Sequence, residues 1–169
     1  MRRLKLLALL LFLLAVLWIY LGWRYWDAWS IPLNPDQLTL YSIDGSDYSN
    51  GTEPKTSEKI GRFPVLGKVE ITDPIVREQI MSELRKGVIE SGSAALCFWP
   101  RHAIRIVTKG RSIDYIVCFE CNQILVKEGA RWKIILTSER ARSYFNKVLE
   151  EAHIPLAPFH IDRVKKELG

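Results

Sequence analysis

Three cysteines and one histidine are the residues of this chain whose types and spacing bear on chemistry. Cys97-Phe98-Trp99-Pro100-Arg101-His102 is followed by Cys118-Phe119-Glu120-Cys121. Three thiols and an imidazole are ligand types that tetrahedral zinc takes, and a C-x2-C pair is a usual half-site. On that reading Cys97, His102, Cys118 and Cys121 are the candidate metal ligands and zinc is the candidate cofactor. In an extended strand Cys118 and Cys121 point to opposite faces, so both could ligate only if a bulge at Glu120–Asn122 turned one of them. The same residues admit thiol chemistry, with Cys118 and Cys121 as a dithiol and Cys97 free to exchange. A working C-x-x-C normally opens a helix that lowers its thiol pKa, and this pair lies in a strand pattern. The structural reading is preferred: small buried hydrophobes, or one disulfide joining two of the three cysteines and leaving one thiol over. A Cys97–His102 nucleophile pair lacks an identifiable orienting group and oxyanion donor, so no catalytic residue is assigned; a non-enzymatic role is preferred, with an enzymatic thiol- or zinc-dependent site as the open alternative. Arg101 beside Trp99 is read as fixing a loop.

The elements that must position these residues follow from periodicity. Leu38–Ile43 reads as a strand, and residues 44–59 as a polar surface loop containing Asn50-Gly51-Thr52, a turn that also matches the N-glycosylation pattern. Arg62–Ile71 alternates as a second strand. A helix follows, with Asp73 as cap, Pro74 at its first position and a core stripe at Val76, Ile80, Leu84 and Val88, ending near Gly87 or Gly92. From His102 to Thr137 we expect a meander of three strands, turned at Lys109-Gly110 and Glu128-Gly129, with Trp132, Ile134 and Leu136 supplying the last. Ser138 caps a closing helix with apolar positions at Ala141, Tyr144, Phe145, Val148, Leu149 and Ala152, and Pro155 stops it. His153 and His160 are read as surface groups and Asp162–Gly169 as a solvated tail.

Before this domain lies an apolar leader. Leu6 to Trp23 is 18 residues without a charge, preceded by Arg2, Arg3 and Lys5 and followed by a crowd of aromatic residues that includes Trp26 and Trp29. At about 1.5 Å per residue it reaches roughly 27 Å, near the hydrocarbon thickness of a bilayer. The expectation is a single-pass membrane protein, N-terminus cytoplasmic because the basic flank stays inside, and domain extracytoplasmic. Ala28-Trp29-Ser30 resembles a signal-peptidase site but lies beyond Arg24 and Asp27, so a retained signal anchor is favoured over a cleaved one. The resulting organisation is 1–29 cytoplasmic end and transmembrane anchor, 30–37 stiff Pro-containing spacer, 38–158 extracytoplasmic domain, and 159–169 tail. The expected fold class is α+β: an N-terminal transmembrane helix, then an antiparallel sheet of about five strands with two helices packed on it.

Charge bears on partners. The chain has 24 Lys+Arg against 19 Asp+Glu, a net +5. Met1–Arg24 holds four of the basic residues and none of the acidic ones, leaving 20 against 19 for the rest. A domain this close to neutral lacks the basic surface of a nucleic-acid binder, so no nucleic-acid partner is expected; the lipid bilayer and an envelope or membrane protein are. In element order alone, Pro74–Ala152 resembles the α-β-β-β-α core of the double-stranded-RNA-binding domain. The strings CFWPRH (97–102), CFEC (118–121) and IPLAP (154–158) resemble a pattern recurring in small bacterial membrane-anchored proteins of uncharacterised function. That resemblance covers roughly Leu38 to Pro158 and implies a shared domain type, with no activity or partner attached. Two function classes follow: a membrane-held binding or assembly module of unknown ligand, and, second, a thiol- or zinc-dependent site at Cys97, His102, Cys118 and Cys121.

Overall fold

The computed structural model describes residues 2–46 and 56–158, and within the first helix it describes the side chains of 7, 9–20, 22 and 25 onward. The Asn50-Gly51-Thr52 turn, His160 and the Asp162–Gly169 tail lie outside the described residues. The elements are α1 (Arg2–Trp29), β1 (Gln37–Ile43), β2 (Lys59–Ile60), β3 (Phe63–Glu70), α2 (Pro74–Ile89), β4 (His102–Thr108), β5 (Arg111–Cys118), β6 (Gln123–Glu128), β7 (Arg131–Leu136), a 3-10 turn at Glu139–Ala141 and α3 (Arg142–Glu151). All pairings are antiparallel, in the order β2-β3-β1-β4-β5-β6-β7.

The α+β class is therefore seen, with seven strands where about five were expected. β1 sits between β3 and β4, and α2 carries the chain across it from one to the other. The stretch expected to give three strands gives four, because the chain turns back at Phe119–Asn122. That extra strand also separates this domain from the α-β-β-β-α order of the RNA-binding domain.

Side-chain alternation divides the sheet into two apolar faces. One is covered by α2 and α3, where Leu40, Ile104, Val117, Ile124 and Ile135 meet Ile80, Met81, Leu84, Phe145 and Leu149. The other is a smaller cluster of Tyr41, Ile43, Ile60, Phe63, Val65, Ala103 and Ile116, roofed in part by Phe98. The expected core stripe of α2 is present: Ile80, Met81, Leu84 and Val88 are buried and Val76 packs against them. The helix runs past Gly87 to Ile89 because Gly87 is a contact residue rather than a stop. A Cβ there would lie 2.8 Å from the Thr137 hydroxyl, and its carbonyl accepts the Ser138 N–H at 2.9 Å.

Asp73 caps α2 as its position suggests, its carboxylate accepting the backbone N–H groups of Ile75 at 2.7 Å and Val76 at 3.4 Å. Removing such a cap leaves two helix-end donors to solvent. Asp73→Ala is expected to lower unfolding free energy by about 1 kcal/mol with an unchanged denaturant slope. Urea titration at neutral pH reads this directly, and an unshifted midpoint would show the cap to be idle.

The leader requires a correction. Among the described residues, no helix is long and apolar enough to cross a membrane. The expected transmembrane anchor, and with it a single-pass protein with cytoplasmic N-terminus and extracytoplasmic domain, is overturned. What α1 does show is attachment. Ala28 and Ile31 are buried in the main core, Asp27 pairs with Lys133 of β7 at 2.5 Å, and the Arg85 guanidinium lies over the Trp29 ring at 5.5 Å. The stretch expected as a spacer is also tied down: Asp36 N–H donates to the Val107 carbonyl at 2.8 Å, and Arg77 donates to the carbonyls of Pro35 and Asp36 at 2.9 and 2.8 Å.

Candidate functional site

Cys118 ends β5 and Cys121 lies in the four-residue turn that leads to β6. Asn122 closes the turn at φ 55°, a left-handed conformation that asparagine tolerates better than most side chains. The turn brings the two cysteines within disulfide reach, at 5.3 Å between Cα atoms, and they are joined. Where a bulge was expected at Glu120–Asn122, the chain makes this turn instead.

Cys97 is delivered from the other side, by the irregular segment between α2 and β4. Three hydrogen bonds hold that segment to the turn: Ala95 N–H to the Cys121 carbonyl at 3.1 Å, Asn122 Nδ2 to the Ser93 carbonyl at 3.2 Å, and Gln123 Nε2 to the Ala95 carbonyl at 2.5 Å. The result is a free Cys97 whose Sγ lies 3.3 Å from Sγ of Cys121. Both disulfide cysteines are fully buried, whereas Cys97 is half-buried and lines an open cleft of about 600 Å³. Phe63, Phe98 and Trp99 give the cleft apolar walls, and Asp44 and Arg62 give it charge. Its floor depends on Gly45, where a Cβ would lie 2.3 Å from the Pro100 carbonyl oxygen and 2.4 Å from the proline ring.

The structure does not bring His102 to the sulfurs. His102 is the Cα partner of Val117 and so shares its helix-covered face, while Cys118 takes the opposite parity. Its Nε2 is spent on Asn146 Oδ1 of α3 at 2.7 Å; because that oxygen can only accept, Nε2 carries the proton. Phe119 and Phe145 meet the imidazole edge-on at 5.3 and 6.0 Å and each other at 5.6 Å. Burial is the main reason that the ring's pKa is pushed down to about 4, helped by Arg101 and Arg142 and opposed by the Asn146 hydrogen bond. Among the described residues, no group of three or more His, Cys, Asp or Glu side chains is arranged to hold a metal ion.

Arg101 fixes local structure, as expected, but through backbone and charge. It donates to the Ala157 carbonyl and faces Glu120 at 3.5 Å. The three strings at 97–102, 118–121 and 154–158 thus meet around one guanidinium. Asn146 and Phe145 were not singled out as site residues from the sequence. Their signal was present in the α3 spacing, which put Phe145 on the core face, but nothing in one sequence showed that His102 would lie beneath it. Comparison with known proteins finds no match for this chain among protein-family models, curated proteins or solved structures.

Proposed function

We propose that the protein is a binding or assembly module whose exposed helix α1 contacts a lipid surface and holds its sheet domain beside it. The observation that supports it is the exposed surface of α1: every described side chain from Leu9 to Tyr20 is solvent-facing, including Trp18 at 78% and Ile19 at 71%. Folded monomers rarely expose continuous apolar patches beyond roughly a few hundred Å² without a partner for them. Consecutive apolar positions point around the whole helix, whereas one partner helix would cover only a single stripe. The indoles of Trp18, Trp26 and Trp29 lie toward the sheet-proximal end of α1, where amphipathic rings favour the boundary between acyl chains and water. Because Ala28, Ile31 and the Asp27–Lys133 pair fix that end to the sheet, docking of α1 fixes the domain relative to the lipid.

The test is flotation of the full chain with phosphatidylcholine vesicles. The native chain is expected to float with them. Leu13→Arg, which sets a charge at an exposed site far from the domain, should cost roughly 3 kcal/mol in an acyl environment, about a hundredfold in partition, while the circular dichroism of the sheet is unchanged. A native chain that stays monomeric in the aqueous layer overturns the reading. So does one that buries α1 in a closed oligomer and ignores the vesicles.

A further inference from the structure

We infer that Cys97, Cys118 and Cys121 form a thiol–disulfide relay in which Cys97 makes a sealed disulfide available to a dithiol peptide in the adjoining cleft. This site is separate from α1 and does not depend on the lipid contact. The disulfide sulfurs belong to fully buried residues, so an external thiol has no open approach to them. Cys97 is in contact with Cys121 Sγ at 3.3 Å on one side and lines the cleft on the other. Among the described residues, Cys97 is the free thiol that touches the buried bond.

The chemistry needs no group beyond those named. Deprotonated Cys97 gives an electron pair to Cys121 Sγ; the Cys97–Cys121 bond forms as the Cys118–Cys121 bond breaks. Cys118 leaves as thiolate and takes up the proton that Cys97 lost, with no net oxidation. The disulfide now has one sulfur at the cleft. A substrate thiolate attacks Cys97 Sγ and releases Cys121 as thiolate. The substrate's second thiolate then attacks its own sulfur in the mixed disulfide and releases Cys97. The substrate dithiol has lost two electrons and two protons to become a disulfide, and the protein has gained both to hold three thiols. The event is stoichiometric, one substrate per chain. The cleft walls suit a peptide: Phe63, Phe98 and Trp99 offer apolar contact, and Arg62 offers positive charge. The hydrogen bonds from Ala95, Asn122 and Gln123 hold the Cys97 segment against the turn, so the two sulfurs meet without a loop having to find its place.

The first test examines the relay within the untouched full chain. After equilibration at pH 8, acid quench, unfolding and alkylation, peptide mapping should find the label divided between Cys97 and Cys118, with none on Cys121. Label on Cys97 alone would show that the sulfurs touch without exchanging. The second test adds one equivalent of a reduced peptide whose two cysteines are separated by two glycines. The native chain is expected to convert up to one equivalent to the peptide disulfide, and Cys97→Ser, with Cys118–Cys121 still joined, to do so at least about tenfold more slowly. Equal rates would mean that the buried disulfide is reached without Cys97, and no peptide oxidation by the native chain would leave the cleft without a role; either result overturns the proposal. Cys118→Ala supplies a check on geometry: its oxidised form should carry no titratable thiol, because Cys97 and Cys121 pair, and two free thiols would contradict the relay.

Discussion

Phe145→Ala is expected to lower the unfolding free energy by about 3 to 5 kcal/mol, the usual cost of deleting a fully enclosed aromatic ring. Phe145 has no exposed surface and stands where α3 meets the sheet, with Phe119 at 5.6 Å and the His102 ring at 6.0 Å. The deletion loses the apolar transfer term, leaves a cavity that the surrounding strands can close only in part, and removes two edge-to-face ring contacts. Urea unfolding at pH 7 measures the midpoint, and the slope should be unchanged if the fold is retained. Phe145→Leu, which keeps most of the volume, should cost less than about 2 kcal/mol and guards against a variant that does not fold. Trp132→Ala is the contrast. That ring is larger but 70% exposed, so its removal should stay within about half a kcal/mol. If Phe145→Ala and Trp132→Ala proved equal, the packing of α3 described above would be wrong.

Trp132 also shows where sequence reading stops. The apolar alternation of Trp132, Ile134 and Leu136 was legible and does mark a strand, but the register puts these three on the exposed side. Val126 pairs with Lys133 and Ile124 with Ile135, so the inward positions of β7 are 131, 133 and 135. Only Ile135 fills an apolar place there, and Lys133 is instead paired with Asp27 of α1. An edge strand can expose its more apolar side when a charged residue on the other side has a tertiary partner, and that partner lies 106 residues away. The helices were read more completely because capping and four-residue spacing are local: Asp73, Pro74 and the α2 stripe all act within one element. The sulfur cluster falls between these cases. The odd cysteine count required a leftover thiol, yet the residues at Glu120–Asn122 that suggested a bulge fit a turn equally well. The choice was made by the hairpin pairing of Cys118 with Gln123, which a single strand pattern does not contain.

The imidazole beneath Phe145 is expected to weaken the fold in acid. His102 is buried and its pKa is pushed down to about 4 from 6.5, with loss of hydration as the first cause and the positive charges of Arg101 and Arg142 adding to it. Between those two values the unfolded chain binds a proton that the native protein refuses, so stability rises with pH across the window. The contribution is complete above about 6.5 and is lost as the pH falls toward 4. Its full size is on the order of 3 kcal/mol. Glu83, held below its usual range chiefly by a hydrogen bond from Lys86, loses its contribution only as the pH falls below 4.5, so the upper part of the window belongs to the histidine. His102→Leu removes the titration while keeping an apolar group against Phe119 and Phe145; it forfeits the Asn146 hydrogen bond at every pH alike. The difference in unfolding free energy between native chain and variant should therefore shrink as pH falls from 7 toward 4.5, by 2 kcal/mol or so. Urea titrations at half-unit steps read this, with a pH-independent difference as the result that would remove His102 from the acid response. Phe145→Leu supplies a further check on the cause. If burial is what depresses the ring's pKa, loosening the aromatic cover should raise that pKa toward 6.5 and make the loss of stability between pH 7 and 4.5 smaller than in the native chain, because water then reaches the imidazolium and favours it.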